Sequence, residues 1–530
     1  MGSRTGSLAV AVLVVGALLI TSCSRNSSGP DSEVGPVTDT KPYGSLTIGM
    51  DLGGTNIDPQ IATATAFFFT SVAIFDALIF VDSKNELKPG IAERWEISPD
   101  GKTHTFYIRK GAKFHDGSDL TGEDVKFSIE RMMAPASIVP DANAWRDAVA
   151  GVDLKDQYTV ALRMKSPQFE LLKGYDAGMA AVVPKKYIEE KGVDYFRTHL
   201  VGSGPWKVVR FIPGDRLEIE AVENHWRAAP KFKNLTLLHI TQDATKVAML
   251  KTGELDIAQV GPDSVPGLKA AGNRVLSWDG GGQFFGFPFY DKDHPDKYEI
   301  GDVRVRKSLQ LSLNNKEIAD KILGGYGEPY ALWAADPTAY FWDANMLKPD
   351  PYDPEGAKRL LAEAGLPNGF KTRIYDIGGG GVISTIDQAV SGYWRKIGVI
   401  AEIIPMDYGA FFPKFNPTQL PEVWPSIYIN LGSPARHFEK MRDAYYTKGN
   451  RTTKNPKLDQ LLDKVPAITD PVEKKKVALE AAVMAQNEYS VLRLTGAHII
   501  VALGPKVGDF ARFRYSSIIG VMFETITHAK

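Results

Sequence analysis

Residues 87–125 read LKPGIAERWEISPDGKTHTFYIRKGAKFHDGSDLTGEDV, and turn and helix signals follow one another closely in this stretch. Asp100-Gly101 is typical of a tight hairpin turn between two strands, and Thr103–Ile108 is expected to be the second of them. Gly122–Arg131 has apolar residues at helical spacing, and Thr121 is a favourable N-cap residue for that helix. The stretch therefore predicts a β-hairpin that is followed by an α-helix.

On both sides of this stretch, strand patterns and helix patterns alternate along the chain. Ser45–Met50 alternates polar and apolar residues as a strand does. Further strands are predicted at Leu217–Ala221, Leu235–Ile240 and Leu255–Val260. Helices are predicted at Asp243–Thr252, Val303–Leu313, Lys316–Ile322, Pro354–Ala364 and Pro471–Tyr489. The chain is therefore expected to be a mixed α/β protein.

The N-terminus has the pattern of an export signal. Arg4 precedes an apolar run over residues 8–20, which is shorter than the roughly 20 residues that span a membrane. Small residues lead to Cys23, and because it is the single cysteine of the chain, no disulfide bond can form within the chain. This junction resembles a bacterial lipobox, and the resemblance implies lipidation of Cys23. An ordinary cleaved signal with an incidental cysteine is the alternative.

The rest of the composition indicates a large exported globular protein. We expect a signal peptide over residues 1–22 and a lipid-anchored flexible tether over residues 23–42, which is rich in Ser, Gly, Pro and Asp. A mature chain of about 500 residues predicts two or three domains. The formal net charge is −1 and Lys and Arg form no run, so nucleic-acid binding is not expected.

Several short motifs follow one another in the order of a known family. Besides residues 87–125, they are LTIG at 46–49, NIDP at 56–59, VGSGPWK at 201–207, ENHW at 223–226, GELDIA at 253–258, DVRVRKSL at 302–309 and the helical segment 352–365. This ordered set resembles the extracytoplasmic solute-binding lipoproteins of ABC importers, in the family for peptides, nickel and related solutes (family 5). The resemblance implies an α/β, two-lobed periplasmic-binding-protein fold (type II-like), with an extra domain inserted in the first lobe and two hinge crossings.

The resemblance also implies a domain division. Lobe I comprises residues 43–80, 201–282 and 495–530; the extra domain comprises 81–200, and lobe II comprises 283–494. Gly280, Gly281 and Gly282 then fall at a hinge crossing, where glycines can absorb the change in backbone angles between an open and a closed state. A plain surface turn is the alternative for these glycines.

The residues expected at the ligand cleft lack two charges. In relatives that take dipeptides, an aspartate pairs with the peptide ammonium and an arginine with its carboxylate, because a closed cleft must pair buried charges. By resemblance, neutral Asn430 stands at the place of the aspartate, and no acid occurs between Glu422 and Glu439. The place of the arginine is taken by the four glycines of residues 378–381. A free dipeptide zwitterion is therefore not the expected ligand.

Aromatic and amide side chains are expected to line the cleft instead. The predicted ligand-binding residues are Trp424, Tyr428, Asn430, Phe284, Phe285, Trp333, Gly379 and Gly380. Flat rings together with an amide suit an uncharged ligand, a long peptide held through its backbone, or a sugar. An oligopeptide-type solute is the leading hypothesis, and an oligosaccharide or another neutral solute is the alternative.

Metal binding and catalysis find less support. The nine histidines are scattered without ligand spacing, and only His437 falls near the expected cleft, so no metal site is predicted. Neither Gly-x-Ser-x-Gly nor His-Glu-x-x-His occurs, so the signatures of serine hydrolases and zinc peptidases are missing. A secreted glycoside hydrolase needs only two carboxylates, for which Asp376 and Asp407 are candidates. This enzyme remains a remote alternative.

The sequence thus favours a capture protein rather than an enzyme. A small solute is expected to bind between two lobes and to be delivered to the permease subunits of an ABC transporter. We expect a monomer without a cofactor, exported and anchored by lipid to the outer face of the bacterial cytoplasmic membrane. A sensory or chaperone-like receptor on the same fold would have the same sequence pattern.

Overall fold

The computed structural model describes most of the chain beyond the predicted tether. The described residues are 41–50, 52, 57–60, 73–81, 87–135, 137, 142–168, 181–289, 298–333, 339–376, 381–406, 426–432, 438, 445, 447, 454–511 and 521–530. The predicted signal peptide and Cys23 lie outside the described residues.

The strands of the described chain include every strand that the sequence predicts. They are β1 Ser45–Met50, β2 Ile79–Val81, β3 Leu87–Pro89, β4 Ala92–Ile97, β5 Thr103–Ile108, β6 Val149–Asp156, β7 Thr159–Met164, β8 Trp206–Ile212, β9 Arg216–Ala221, β10 Asn234–His239, β11 Ile257–Gln259, β12 Arg274–Phe289, β13 Lys371–Asp376, β14 Ile400–Pro405, β15 Ser426–Gly432 and β16 Leu492–Leu503. The predicted strands at Ser45–Met50 and Thr103–Ile108 are confirmed residue for residue.

The described helices likewise include each predicted one. They are α1 Gly122–Met133, α2 Ala142–Ala148, α3 Lys185–Lys191, α4 Val193–Phe196, α5 Asp243–Thr252, α6 Val265–Ala270, α7 Val303–Leu311, α8 Asn315–Lys321, α9 Pro354–Glu363, α10 Gly381–Arg395, α11 Pro456–Lys464 and α12 Pro471–Glu488. Short 3₁₀ turns lie at 262–264, 299–301, 465–467 and 523–525. The mixed α/β prediction is confirmed.

The predicted element boundaries lie within two residues of those observed, and two of the differences have clear local reasons. Helix α7 stops at Leu311 rather than Leu313, because Asn314 already caps the next helix by accepting a hydrogen bond from the Glu317 N–H at 3.1 Å. Strand β11 begins at Ile257 rather than Leu255, because the Leu255 N–H still donates to the Met249 carbonyl at 3.0 Å in the turn that closes α5.

Residues 87–125 form the predicted β-hairpin and the α-helix that follows it. Gly101 adopts a left-handed φ of +65° between β4 and β5, and its N–H donates to the Ser98 carbonyl at 2.8 Å. Thr121 and Asp124 form a capping box at the start of α1. The turn at Gly101 forms the hairpin, and the capping box starts the helix.

The main sheet has ten strands in the order β14-β13-β15-β12-β16-β11-β1-β10-β9-β8. We call β1 and β8–β11 the first half of this sheet and β13–β15 the second half, and we use the same two names for the segments that pack on those strands. The long strands β12 and β16 pair antiparallel between the two halves and join them. The predicted lobe boundaries at residues 282/283 and 494/495 stay a prediction.

Side chains of β16 enter a different core on each face and at each end. In the first half, Ile499 and Val501 pack into one cluster, and Ile500 and Ala502 pack into another on the opposite face. In the second half, Leu492 and Leu494 enter a third cluster with the helices α7 and α10. A fourth cluster, formed largely with α11 and α12, receives Val491 immediately before the strand.

A separate four-stranded sheet, in the order β4-β5-β7-β6, has its own core. Phe106 and Phe114 are buried there together with Val125 of α1. This sheet corresponds in sequence to the region expected to form the extra domain.

A buried charged network joins three distant segments of the first half. The Asp76 carboxylate accepts hydrogen bonds from Arg227 Nε at 2.9 Å and from Trp226 Nε1 at 3.0 Å. Arg227 also donates to Glu524 at 2.6 Å near the C-terminus. Burial alone would raise the pKa of Asp76, but the Arg227 charge and the His225 hydrogen bond hold that pKa below its usual value.

A second buried ion pair fixes the start of β16 in the second half. Arg493 is fully buried, and its Nη2 donates to Asp350 at 2.5 Å while its Nη1 donates to the Gln486 carbonyl at 3.1 Å. The backbone of Arg493 is held as well: the Gln310 side chain accepts from its N–H at 2.7 Å, and the Asn315 amide donates to its carbonyl at 2.7 Å. Helices α7 and α8 are thereby tied to this strand.

We expect Arg493→Met to lower the free energy of unfolding by about 3–5 kcal/mol, because it removes the cationic partner of the largely buried Asp350 carboxylate, to which the Tyr489 hydroxyl still donates. Arg304→Met is the matched control, since Arg304 pairs with Asp302 on the surface, and it should cost at most about 1 kcal/mol. Urea denaturation of both variants measures the difference. Equal effects of the two substitutions would contradict the role assigned to the buried pair.

Candidate functional site

The directions of the parallel strands define where a site can form. In the first half, β1, β10 and β11 run parallel, and β11 is antiparallel to β16. In the second half, β13, β14 and β15 run parallel, and β15 is antiparallel to β12. The carboxyl ends of the two sets therefore point towards each other across the middle of the β12–β16 pair. In open α/β sheets, ligands bind at such carboxyl ends.

The middle of β16 differs from its ends in burial. Residues 492–495 and 499–503 are buried, whereas Gly496, Ala497 and His498 between them are half-buried. Strand β16 is therefore buried at both ends and more exposed in its middle. This middle lies where the carboxyl ends of the two sets of parallel strands face each other. We take this region as the candidate site.

The glycines predicted as a hinge lie at the same level. Asp279 pairs with His498, and Gly282 pairs with Ala497, so the register shifts between these two pairs. Such an irregularity bends a strand and interrupts its ladder of hydrogen bonds. Gly280, Gly281 and Gly282 are therefore part of β12 rather than a surface turn, and their role as a hinge stays a prediction.

Four of the predicted ligand residues are brought together by the pairing of β12 with β15. Phe285 pairs with Asn430, and Phe284 pairs with Leu431. Tyr428 pairs with Phe287 on one side and with Tyr375 of β13 on the other. The sequence separates Phe285 from Asn430 widely, so the sheet register alone makes them neighbours. Their contact with a ligand stays a prediction.

The other predicted site residues fall elsewhere. Trp333 is 9% exposed and packs in the fourth cluster with Phe341 and Tyr445. Its role in ligand binding stays a prediction. Outside the described residues lie Trp424, Gly379, Gly380, Asp407 and His437.

Sequence reasoning missed the polar groups at the first-half edge of the site. Lys246 is buried to 8% exposure, lies 2.7 Å from Asp243 and donates to the Gln259 carbonyl at 2.8 Å. Asp243 also accepts from the Gly261 N–H at 2.5 Å. These bonds fix the loop after β11 against α5. A lysine at a helical position gives no sequence signal for this role, because its partner Gln259 is 13 residues away.

Asp387 of α10 is an unusual acid in the second half. It is fully buried, and neither of its carboxyl oxygens receives a hydrogen bond from any residue that the structure describes. Burial raises the pKa of Asp387 to about 8, and the negative charge of Asp376 at the end of β13 adds to the shift. The carboxyl group is therefore protonated at neutral pH. Helix α10 packs on β13, β14 and β15, whose carboxyl ends border the site.

The described residues offer no metal centre. Among them, no group of three or more His, Cys, Asp or Glu side chains could hold a metal ion. Within the same part of the chain, no helix is both long and apolar enough to cross a lipid bilayer.

Comparison with known proteins identifies relatives over most of the chain. The family model for bacterial extracellular solute-binding proteins, family 5 (middle region), matches residues 86–435. A glutathione-binding protein of Salmonella choleraesuis is 27% identical over 356 residues, which are 67% of this chain and 68% of that protein. A glutathione-binding protein of Escherichia coli O157:H7 is 26% identical over 360 residues, with the same coverage.

Solved structures share the fold at lower identity. The binding protein AgaA of A. tumefaciens R10, in complex with agropinic acid, has a TM-score of 0.79 at 21% identity and covers 92% of this chain and 99% of its own. The ABC transporter-associated periplasmic binding protein DppA of Helicobacter pylori, in complex with a peptide, has a TM-score of 0.77 at 20% identity with the same coverage. The predicted two-lobed α/β periplasmic-binding-protein fold is thereby confirmed.

We expect Asp387→Asn to stabilise the protein above neutral pH. The folded state keeps a proton on Asp387 up to about pH 8, whereas an unfolded aspartate releases it near pH 4. The free energy of unfolding therefore falls as pH rises between these two values, by up to about 1.4 kcal/mol per pH unit. The variant should remove this slope and gain at least about 1 kcal/mol at pH 7.5.

Chemical denaturation between pH 5 and 8.5 measures this slope. Asp320→Asn serves as the control, because Asp320 is an exposed helical aspartate beside Lys316, and it should leave the slope as it is. A wild-type slope that persists in Asp387→Asn would show that Asp387 does not hold the proton.

Proposed function

Because this chain belongs to family 5 of the bacterial extracellular solute-binding proteins, we propose that it is the solute-binding subunit of an ABC importer. In this function, it captures a small solute between two lobes and delivers it unaltered to a membrane permease. Capture without turnover is part of the proposal, and the relatives named above are binding proteins.

One observation carries this proposal. The carboxyl ends of two sets of parallel strands face each other across β12 and β16, and β16 is half-buried only at residues 496–498 between them. A solute bound there would contact both halves, and contacts that form only in the closed state would favour closure. Bending at the register shift beside Gly282 supplies the movement.

The relatives bind chemically different solutes, so the ligand class must be argued from this chain. Asn430 is neutral and pairs with Phe285 in the sheet, and four glycines stand at residues 378–381. We therefore propose a solute without a free dipeptide-type zwitterion, such as a peptide held through its backbone. An oligosaccharide or another neutral oligomer is the alternative.

Native mass spectrometry of the purified protein, followed by identification of the bound molecule, tests this proposal. We expect a solute without paired ammonium and carboxylate ends, recovered chemically unchanged after incubation. Calorimetry with that molecule should show at least tenfold weaker binding to Asn430→Asp, because the closed cleft would bury an unpaired carboxylate.

Asn487→Asp is the control, since Asn487 is exposed on α12, and its affinity should equal that of the wild type. A tightly bound dipeptide zwitterion, together with an Asn430→Asp variant of normal affinity, would refute the ligand class. Conversion of the bound molecule into a product would refute capture without turnover.

Lipid anchoring at Cys23 is the second part of the proposal. Its support is the sequence alone, in which small residues after an apolar run lead to a single cysteine. We expect Cys23→Ala to lose incorporation of radiolabelled palmitate and to leave the membrane fraction, because a protein without its acyl chains loses the apolar area that holds it. Ser22→Ala keeps a small residue before Cys23 and should still incorporate palmitate. Membrane retention of Cys23→Ala would contradict the anchor.

A further inference from the structure

The segment that follows α8 packs against the core of the second half and then against the core of the first half. Leu323 is buried in the third cluster, which belongs to the second half. Three residues later, Tyr326 packs against the first-half cluster that contains Leu250, Val260 and Ile500. By Tyr330 the chain has entered the fourth cluster, near α11 and α12. The chain therefore crosses from one half to the other and returns within eight residues.

Backbone hydrogen bonds hold Tyr326 and Glu328 against the middle of β16. The N–H of His498 donates to the Tyr326 carbonyl at 3.0 Å, and the N–H of Gly496 donates to the Glu328 carbonyl at 2.7 Å. On the same edge of β16, the Ile500 carbonyl accepts from the Val260 N–H at 3.0 Å, because alternate residues of a strand direct their polar groups to one side. Residues 326–328 thus continue the edge that β11 covers in the first half.

The packing at this point leaves no space for larger side chains. A β-carbon on Gly327 would lie 2.3 Å from the Gly496 carbonyl oxygen and 2.7 Å from a methyl group of Leu323. A β-carbon on Gly324 would lie 3.3 Å from Cβ of Pro262, which follows β11 in the first half. Gly324 and Gly325 both have left-handed φ angles, +57° and +81°. The tight turn and the close approach to β16 therefore both depend on glycine.

We propose that Tyr326–Glu328 is a brace between the two halves, which restrains their separation in the solute-free protein. The brace is distinct from the β12–β16 pair, because it is held by the Tyr326 ring in the first-half cluster and by two hydrogen bonds to β16. When the halves separate beyond the position seen in the structure, the ring must leave that cluster. The apolar surface that this exposes opposes the separation.

The brace also affects how a solute is captured. The apparent dissociation constant for a solute scales inversely with the fraction of molecules in the binding-competent arrangement. A brace that keeps more molecules in that arrangement therefore tightens the apparent affinity. The brace is thus a positioning element for the proposed capture between the halves, and it rests on that proposed function.

Pulsed electron paramagnetic resonance on the solute-free full chain tests the brace directly. Spin labels are attached to Glu254→Cys in the first half and Lys358→Cys in the second half, both at exposed positions, in a chain that carries Cys23→Ser. We expect Tyr326→Ala to shift the distance distribution to longer values and to broaden it. In the same variant, the amides of Gly496 and His498 should exchange hydrogen at least tenfold faster.

Two controls separate the brace from a general loss of packing. Tyr326→Phe keeps the ring and should behave as the wild type, and Tyr352→Ala removes a tyrosine that is 42% exposed in the second half and should leave the distances unchanged. An unchanged distance distribution in Tyr326→Ala would overturn the proposal, whether or not the two amides exchange faster. Because no solute is present, this result is independent of whether a solute is ever captured.

Discussion

The antiparallel pairing of β12 with β16 holds the main sheet together. These two strands join the two halves of the ten-stranded sheet. They also set the direction of every parallel strand around them, so that both sets of carboxyl ends meet at the centre. If this pair were out of register, Phe285 would no longer lie beside Asn430, and the facing edges would not form one site.

Strand β16 is held firmly at its ends and less firmly in its middle. Four clusters receive its side chains or that of Val491, and the buried pair of Arg493 and Asp350 fixes its start. Between these anchors, residues 496–498 are half-buried, and the register shifts opposite them. Their edge is covered by the backbone of Tyr326 and Glu328. Rigid ends with an interrupted centre are what two bodies need in order to move about a shared strand pair.

The sequence was sufficient for features that depend on neighbouring residues. The hairpin turn at Asp100-Gly101, the N-cap at Thr121 and the bounds of α5 follow from local chemistry, and the ordered motifs identified the family. The contacts that shape the site were not predictable, because they join residues far apart. Arg493 and Asp350 are 143 residues apart, and neither carries a local signal. His498 looked like one of nine scattered histidines until the register placed it opposite Asp279.

In the proposed function, the two halves close on a solute about the β12–β16 pair. Small-angle X-ray scattering of the full chain, before and after addition of the solute identified from the purified protein, measures whether this closure occurs. We expect a smaller radius of gyration with solute, because bound solute favours the closed arrangement. An unchanged radius of gyration at saturating solute would contradict the proposed closure.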